Sequence, residues 1–324
     1  MLILRAFQTF TFLGAQFANS ILLFLLYRKG KTVFGNYRYV MAIFTISCFC
    51  ASWIEIIGKP VFHVHMPMFI LFMNNDLFYY SSISNVIANL YCIFLGLCVY
   101  LLASQFYYRY LLVCKPLETD KSTGIRFIFI YIATFCIIVV WCLCLHFGMY
   151  LSPEKMEFIN NTLFDYYEVE STQVGSISVM YWNINDNGVK EYRYDDIISI
   201  SVVAIMLLSG YSFIIYCAVS IYVTLNNIQN GMSLIKIQVN RQVMLTLSIQ
   251  TILPLICMYI PITFTILLPI FDIDYGRIIN LASAMLGMYP FLEPLVALLC
   301  ISEFKKSLLS FCTNTRVSIH LTKN

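Results

Sequence analysis

Residues 105–126 read QFYYRYLLVCKPLETDKSTGIR, and this stretch decides the fold. It carries Arg109, Lys115, Lys121 and Arg126, while apolar sequence runs into it from residue 86 and out of it to residue 151. Short loops rich in Lys and Arg stay on the cytoplasmic side of a bilayer. The next connection, 152–196, has the opposite balance, with nine Asp and Glu against Lys155, Lys190 and Arg193. The alternation extends along the chain. Fourteen of the twenty Lys and Arg fall into four clusters: the one just quoted; Arg28, Lys29, Lys31 and Arg38; Lys236 and Arg241; and Lys305, Lys306, Arg316 and Lys323. The pattern predicts a membrane protein with its N-terminus outside and its C-terminus inside.

The composition agrees. Of 324 residues 60% are hydrophobic and 11% charged, and mean hydropathy is +0.78. A soluble domain carries about 25% charged residues. Crossing a hydrocarbon core about 30 Å thick takes roughly 20 mostly apolar residues in a helix. Segments of that length occur at about 7–27, 39–57, 86–111, 125–151, 197–224, 242–269 and 279–301. Backbone amides must pair within lipid, so the segments are expected to be helices, in an all-α, seven-transmembrane bundle. Residues 61–73 are apolar but too short to span, and Pro67 interrupts them. Counting them as an eighth span would also put Lys115, Lys121 and Arg126 outside. Residues 1–324 read as one domain, with 302–324 as a cytoplasmic tail. The first segment stays apolar beyond a signal-peptide core and reads as a signal anchor. The net charge of +3 comes with no basic run of the kind that binds nucleic acid.

Three features inside the spans carry the functional expectation. Span three ends in Tyr108-Arg109-Tyr110, where a permanent cation sits at the inner face. It either snorkels to the interface or bonds the inner ends of spans six and seven in one state and a partner's carbonyls in another. Span six carries Pro254, Pro261 and Pro269. An interior proline removes an amide donor and clashes with the carbonyl four residues back, so kinks are expected near Gln250 and Cys257. Span seven contains Pro290 and, about two turns inside the inner face, Glu293; a carboxyl in lipid must be protonated or paired, and Arg109 is the cation at similar depth. Glu55 lies four residues before Lys59 in span two, where an i,i+4 pair accounts for it.

Other features carry less. The cysteines lie mostly inside spans and read as small packing residues. Cys312, eleven residues past the last span, is a candidate for palmitoylation. Asn160-Asn161-Thr162 is a glycosylation sequon close to the membrane. His63, His65 and His146 lack the spacing that fixes a metal site and read as loop or packed histidines. Neither a nucleophile–base pair, a phosphate loop nor paired midplane carboxylates occur, so an enzyme and a bound cofactor are not expected.

Several blocks together resemble the nematode Str-type seven-transmembrane chemoreceptors, the superfamily of the diacetyl odorant receptor. They are Gly35-Asn36-Tyr37-Arg38-Tyr39, Pro60-Val61-Phe62-His63, Phe106-Tyr107-Tyr108-Arg109-Tyr110, Gln250-Thr251-Ile252-Leu253-Pro254, Met258-Tyr259-Ile260-Pro261, and Tyr289-Pro290 with Glu293-Pro294. Glu293 stands where the family usually has Asp, and the charge is kept. The resemblance implies olfactory or chemosensory reception, a heterotrimeric G protein as partner, and residence in the ciliary membrane of sensory neurons. Rhodopsin-like receptors tie the long outer loop to helix three by a disulfide. Loop 152–196 has no cysteine, so Cys92, near the right level, has no partner there.

A transporter or channel for a small solute is the alternative. Transporters show paired repeats with broken helices in both halves, and Pro-broken span six has no counterpart in the first half. A small-molecule odorant is expected in an outer-half pocket of aromatic, Met, Cys and Thr side chains, with Asn89, His146, Thr263 and Asn280 as polar anchors.

Overall fold

The computed structural model describes residues 1–75, 81–115, 119–185, 188–228, 245–271, 276–301 and 303–306, with side chains at all of these except 29, 31–34, 81 and 119–127. Lys236, Arg241, Cys312, Arg316 and Lys323 lie outside the described residues.

The described residues form eight long helices, α1 (Leu2–Phe34), α2 (Tyr37–Gly58), α3 (Ser81–Cys114), α4 (Thr119–Phe147), α5 (Pro153–Tyr167), α6 (Tyr194–Ile228), α7 (Leu245–Phe271) and α8 (Asn280–Cys300). Seven of them, all but α5, are long and apolar enough to cross a membrane. Their outward side chains are apolar too, among them Phe129, Ile132 and Phe135 of α4 and Ile205, Leu208 and Tyr216 of α6. α3 is the central helix, packed on α2, α4 and α6, while α1 lies against α2 and α8. Outer and inner below follow the sides that the charge pattern predicts.

α4 ends at Phe147, short of the expected residue 151. The chain turns at Gly148, where a Cβ would stand 1.8 Å from Ser199 Oγ of α6. α7 changes its winding three times. Its α-helix runs to Pro254, Leu255–Tyr259 form a π-helical turn, α-helix resumes at Ile260–Leu267, and Leu268–Phe271 tighten to 3₁₀. π-turns of this kind mark functional sites more often than chance.

The bundle carries a small sheet, which the sequence reading did not include. Residues 61–73 form a hairpin of β1 (Pro60–His65) and β2 (Met68–Met73), and β3 (Ser176–Met180) adds antiparallel to β2. Ile70 pairs with His63 on one side and Ser178 on the other. Both faces are covered, so these strands read as continuous apolar runs rather than alternating ones. The period-two pleat sorts them nonetheless. Phe62, Val64, Phe69, Leu71, Ile177 and Val179 face the bundle core. Val61, Met68, Ile70, Phe72 and Met180 face α5, against Ile159, Leu163 and Tyr167. The acidic connection 152–196 is thus a structured roof, not an open loop. A second hairpin, β4 (Trp182–Ile184) with β5 (Lys190–Tyr192), lies outside it.

The histidines fall in with this packing. His63 is buried against Tyr166 and Tyr167, and His65 packs on Phe158. Among the described residues no group of three His, Cys, Asp or Glu stands close enough to hold a metal ion. The expected Glu55–Lys59 ion pair does not form. Glu55 is 5% exposed and points inward, so that a Cβ on Gly287 of α8 would lie 1.9 Å from its Oε1. Lys59 instead closes the helix in a left-handed conformation, its N–H donating to the Glu55 carbonyl.

Candidate functional site

The inner end holds a polar relay across four helices. The Arg109 guanidinium of α3 donates to Gln250 Oε1 of α7 at 2.7 Å, and Gln250 Nε2 donates to Glu293 Oε1 of α8 at 3.1 Å. Gln250 is 2% and Glu293 3% exposed. The polarity is forced, because a guanidinium only donates and a carboxylate only accepts; an amide does both. From α2, Tyr37 presents its ring to the guanidinium at 5.2 Å and donates from its hydroxyl to Gln105 Oε1 at 3.1 Å. Tyr108 stacks on the same ring, their centroids 5.2 Å apart. Tyr110 turns away, onto Tyr107 and onto Tyr216 of α6. The structure therefore brings Arg109 and Glu293 to one cluster, with Gln250 between them rather than in direct contact. Sequence reasoning gave Gln250 as the place of a kink and as the start of a family-like block, not as a site residue.

Of the prolines, Pro254 and Pro290 lie within about a turn of the relay residues on their own helices, and Pro261 lies higher on α7. Pro254 stands directly before the π-turn, and Pro261 just after it at the start of the next helical segment. Pro290 is inside α8, one turn before Glu293, and its carbonyl accepts from Asn19 Nδ2 of α1 at 3.0 Å.

Beneath the roof lies an apolar cavity of about 80 Å³. Phe62, Phe69, Leu71 and Ile177 of the sheet form its ceiling, Cys92 and Trp141 part of its sides, and Met258, Ile262 and Thr265 the α7 face. No polar atom of the described residues is exposed on its wall. The Thr265 hydroxyl is already committed to the Pro261 carbonyl at 2.9 Å. Such a space is about half the size of the 150 Å³ engineered cavity that takes benzene. The polar anchors expected from sequence are elsewhere. Thr263 is exposed on the outside of α7; Asn280 donates to Tyr167 Oη at 3.0 Å; Asn89 and His146 line a separate hollow at the outer ends of α3 and α4.

The roof is tied down by bonds that no single residue announces. At the outer end of α3, Ser84 Oγ accepts from the Gly175 N–H and Asn85 Oδ1 from the Ser176 N–H, both at 2.9 Å. A Cβ on Gly175 would lie 2.0 Å from the Ser84 carbonyl carbon, so only glycine fits. Every described cysteine is a free thiol, and Cys92 lies deeper, in the cavity wall. Lys155 of α5, 1% exposed, bonds Asp196 of α6 at 2.5 Å and the carbonyl of Tyr150 at 2.9 Å. Asp196 Oδ2 also accepts from Arg193 Nε at 3.0 Å. Burial pulls the Lys155 ammonium below the usual lysine value, against the Asp196 charge that raises it. Asn160, in mid-α5, uses its side-chain oxygen to hold Ser171. Tyr181 completes the roof by donating to the Ile266 carbonyl of α7 at 2.7 Å.

A heptahelical bundle with a small apolar cavity under an outer roof and an ionic relay at its inner end has the build of a G-protein-coupled receptor. Squid rhodopsin shares the fold, with a TM-score of 0.65 over 94% of this chain and 83% of that one, at 12% identity. Residues 4–309 match the family model described as serpentine type 7TM GPCR chemoreceptor Str. The chain belongs to that family. It is 24% identical over 303 residues to serpentine receptor class r-10 of Caenorhabditis elegans, covering 93% of this chain and 88% of that one. It is likewise 24% identical over 307 residues to G-protein coupled receptor str-33 of the same organism, covering 94% and 89%.

Proposed function

We propose that this protein binds a small, uncharged, apolar compound in the roofed cavity and in response activates a heterotrimeric G protein at its inner face. Its setting is the plasma membrane of chemosensory neurons, at the cilium, with the N-terminus outside and the C-terminus inside. One observation carries the reading: a single helix serves both sites. α7 lines the cavity through Met258, Ile262 and Thr265 and holds the relay through Gln250, with Pro254 and the π-turn starting between them. Gln250 lies roughly 12 Å below Met258 along the helix axis.

The mechanism follows from two arrangements of α7. In the one described, Gln250 holds the Arg109 cation to Glu293. In the other, the inner segment of α7 swings about Pro254 and Pro261, with Pro290 giving way in α8. Gln250 withdraws, and the guanidinium is free to bond carbonyls of a docked partner. A ligand biases this equilibrium only by binding one arrangement more tightly. Met258 and Ile262, beside the π-turn, are the contacts through which it does so. Tyr108, stacked on Tyr37, and Tyr110, packed on Tyr216, hold the inner end of α3 against α2 and α6.

The test is a response screen of the expressed receptor against volatile compounds, run with Arg109→Ala and Arg109→Lys. Both variants should reach the surface. The alanine variant should lose G-protein activation, and lysine should not restore it, because an ammonium cannot reproduce the planar fork. Normal signalling by both would leave Arg109 a snorkelling anchor and overturn the relay. Solute flux in vesicles without any G-protein dependence would favour the transporter or channel instead.

A further inference from the structure

The roof closes the apolar cavity in two layers. Behind the ceiling residues of the sheet, Val61, Met68, Ile70 and Phe72 pack against Ile159 and Leu163 of α5, none more than 1% exposed. A compound descending through the roof must part a hydrogen-bonded sheet and the helix packed on it. The side of the bundle is built differently. A hollow of about 520 Å³ lies at the outer ends of α3 and α4, beside α5 and β3. Its wall is mixed, with Asn85, Asn89 and His146 beside Leu145, Val174 and Ile177. Leu145 and Ile177 line the apolar cavity as well, and each is 4% exposed. The two spaces therefore meet at two aliphatic side chains. Shifting side chains between staggered rotamers breaks no hydrogen bond, whereas opening the sheet breaks several.

We propose that this hollow is the vestibule through which the ligand reaches its cavity, with Leu145 and Ile177 as the gate. The inference rests on the reading that the roofed cavity is the ligand site. It also assigns the polar residues of this corner. Asn89 and His146 line the passage and offer water or a ligand carbonyl or hydroxyl a partner there. Beyond the gate the wall has no polar atom, so a charged compound that passed would be left unsolvated. The gate thus selects small uncharged molecules before binding begins.

Cys92 in the cavity wall is a built-in reporter. The full-length receptor in lipid nanodiscs is exposed to methyl methanethiosulfonate, a small uncharged reagent. It leaves a methyl disulfide on a thiol and releases methanesulfinate. Modification of Cys92 is followed by peptide mass spectrometry, with Cys300 as the reference thiol. Leu145→Ala and Ile177→Ala should each speed Cys92 labelling, and Leu145→Trp should slow it, by about tenfold, each tenfold being ~1.4 kcal/mol of barrier. Labelling at Cys300 should stay the same, and Ile159→Ala, which loosens the roof, should leave the Cys92 rate near the parent's. Unchanged Cys92 rates in all three gate variants, no labelling in any of them, or acceleration by Ile159→Ala to the same degree would overturn the gate. A different result bears on the binding site: a receptor that still answers its most active screened volatile after complete Cys92 labelling sinks the cavity reading and leaves the passage standing.

Discussion

At its outer end α3 is held through the backbone of β3, while at its inner end it is held through the tips of side chains. Ser84 and Asn85 each accept one peptide N–H from β3 or the residue before it, and the neighbouring roof is fastened by the sheet and by buried Lys155 and Asp196. Several bonds must break together before the outer end moves. At the inner end Tyr37 donates to Gln105, and the charged pair is joined by one amide, Gln250, with one bond to Arg109 and one to Glu293. Any neighbour offering carbonyl oxygens can replace it. Under the proposed function, the same helix is fixed at the end where the ligand binds and exchangeable at the end where the G protein docks. Interfaces that have two alternative sets of bonds switch between discrete states.

The sharpest way to break this contrast is Gly175→Ala. The added methyl would meet Ser84 and Asn85 backbone atoms at 2.0 and 2.1 Å, and backbone has no rotamer to escape into. A loss above about 4 kcal/mol is expected, with failure to reach the cell surface. Surface staining and melting of the purified receptor at parental levels would show that the outer tie is dispensable. Next in size is Lys155→Ala. It leaves the Asp196 carboxylate buried with Arg193 as its remaining cation and should cost about 3 kcal/mol, read as a lower melting point. Adding Asp196→Leu removes the stranded charge and should recover part of that loss. A double variant as unstable as the sum of the two singles would mean that the pair does not act as a unit.

At the inner end the effects on stability are smaller and those on signalling larger. Gln250→Leu keeps the volume but severs both bonds of the relay, at about 1–2 kcal/mol. Surface expression should hold and basal G-protein turnover should rise, since the described arrangement loses its tie. Basal turnover at the parental level would mean that the amide is packing, not a latch. Pro254→Ala should change stability least, by about 1 kcal/mol or less. It returns an amide donor and straightens α7, so ligand binding should be kept while efficacy shifts. A ligand-dependent distance between labels at the inner ends of α3 and α7, reduced or enlarged in the variant, is the direct readout. Normal signalling with an unchanged distance would leave the prolines as static features.

Much of the bundle and part of the relay were legible along the chain. Arg109 and Glu293 stand out because a charge in an apolar segment is costly, which any window of twenty residues reveals. Gln250 does not stand out, since a neutral amide costs too little to be noticed. Thr263 and Thr265 look alike in sequence, yet two residues on a helix point to nearly opposite faces. Thr265 lines the cavity, and Thr263 faces outward. Lys155, one basic residue in an acidic connection, gives no local sign of being 1% exposed.

The seven apolar helices, and the exclusion of residues 61–73 as a span, could be read from the chain alone. Both follow from transfer energies that add up locally along about 20 residues. Tertiary structure alone decided that 61–73 and 176–180 join in one sheet, that Gly175 lies against Ser84, and that an amide from α7 completes the Arg109–Glu293 relay. These depend on pairings between residues far apart in the chain, whose register is set by how all the helices pack together. No local sum of hydropathy or charge contains that information.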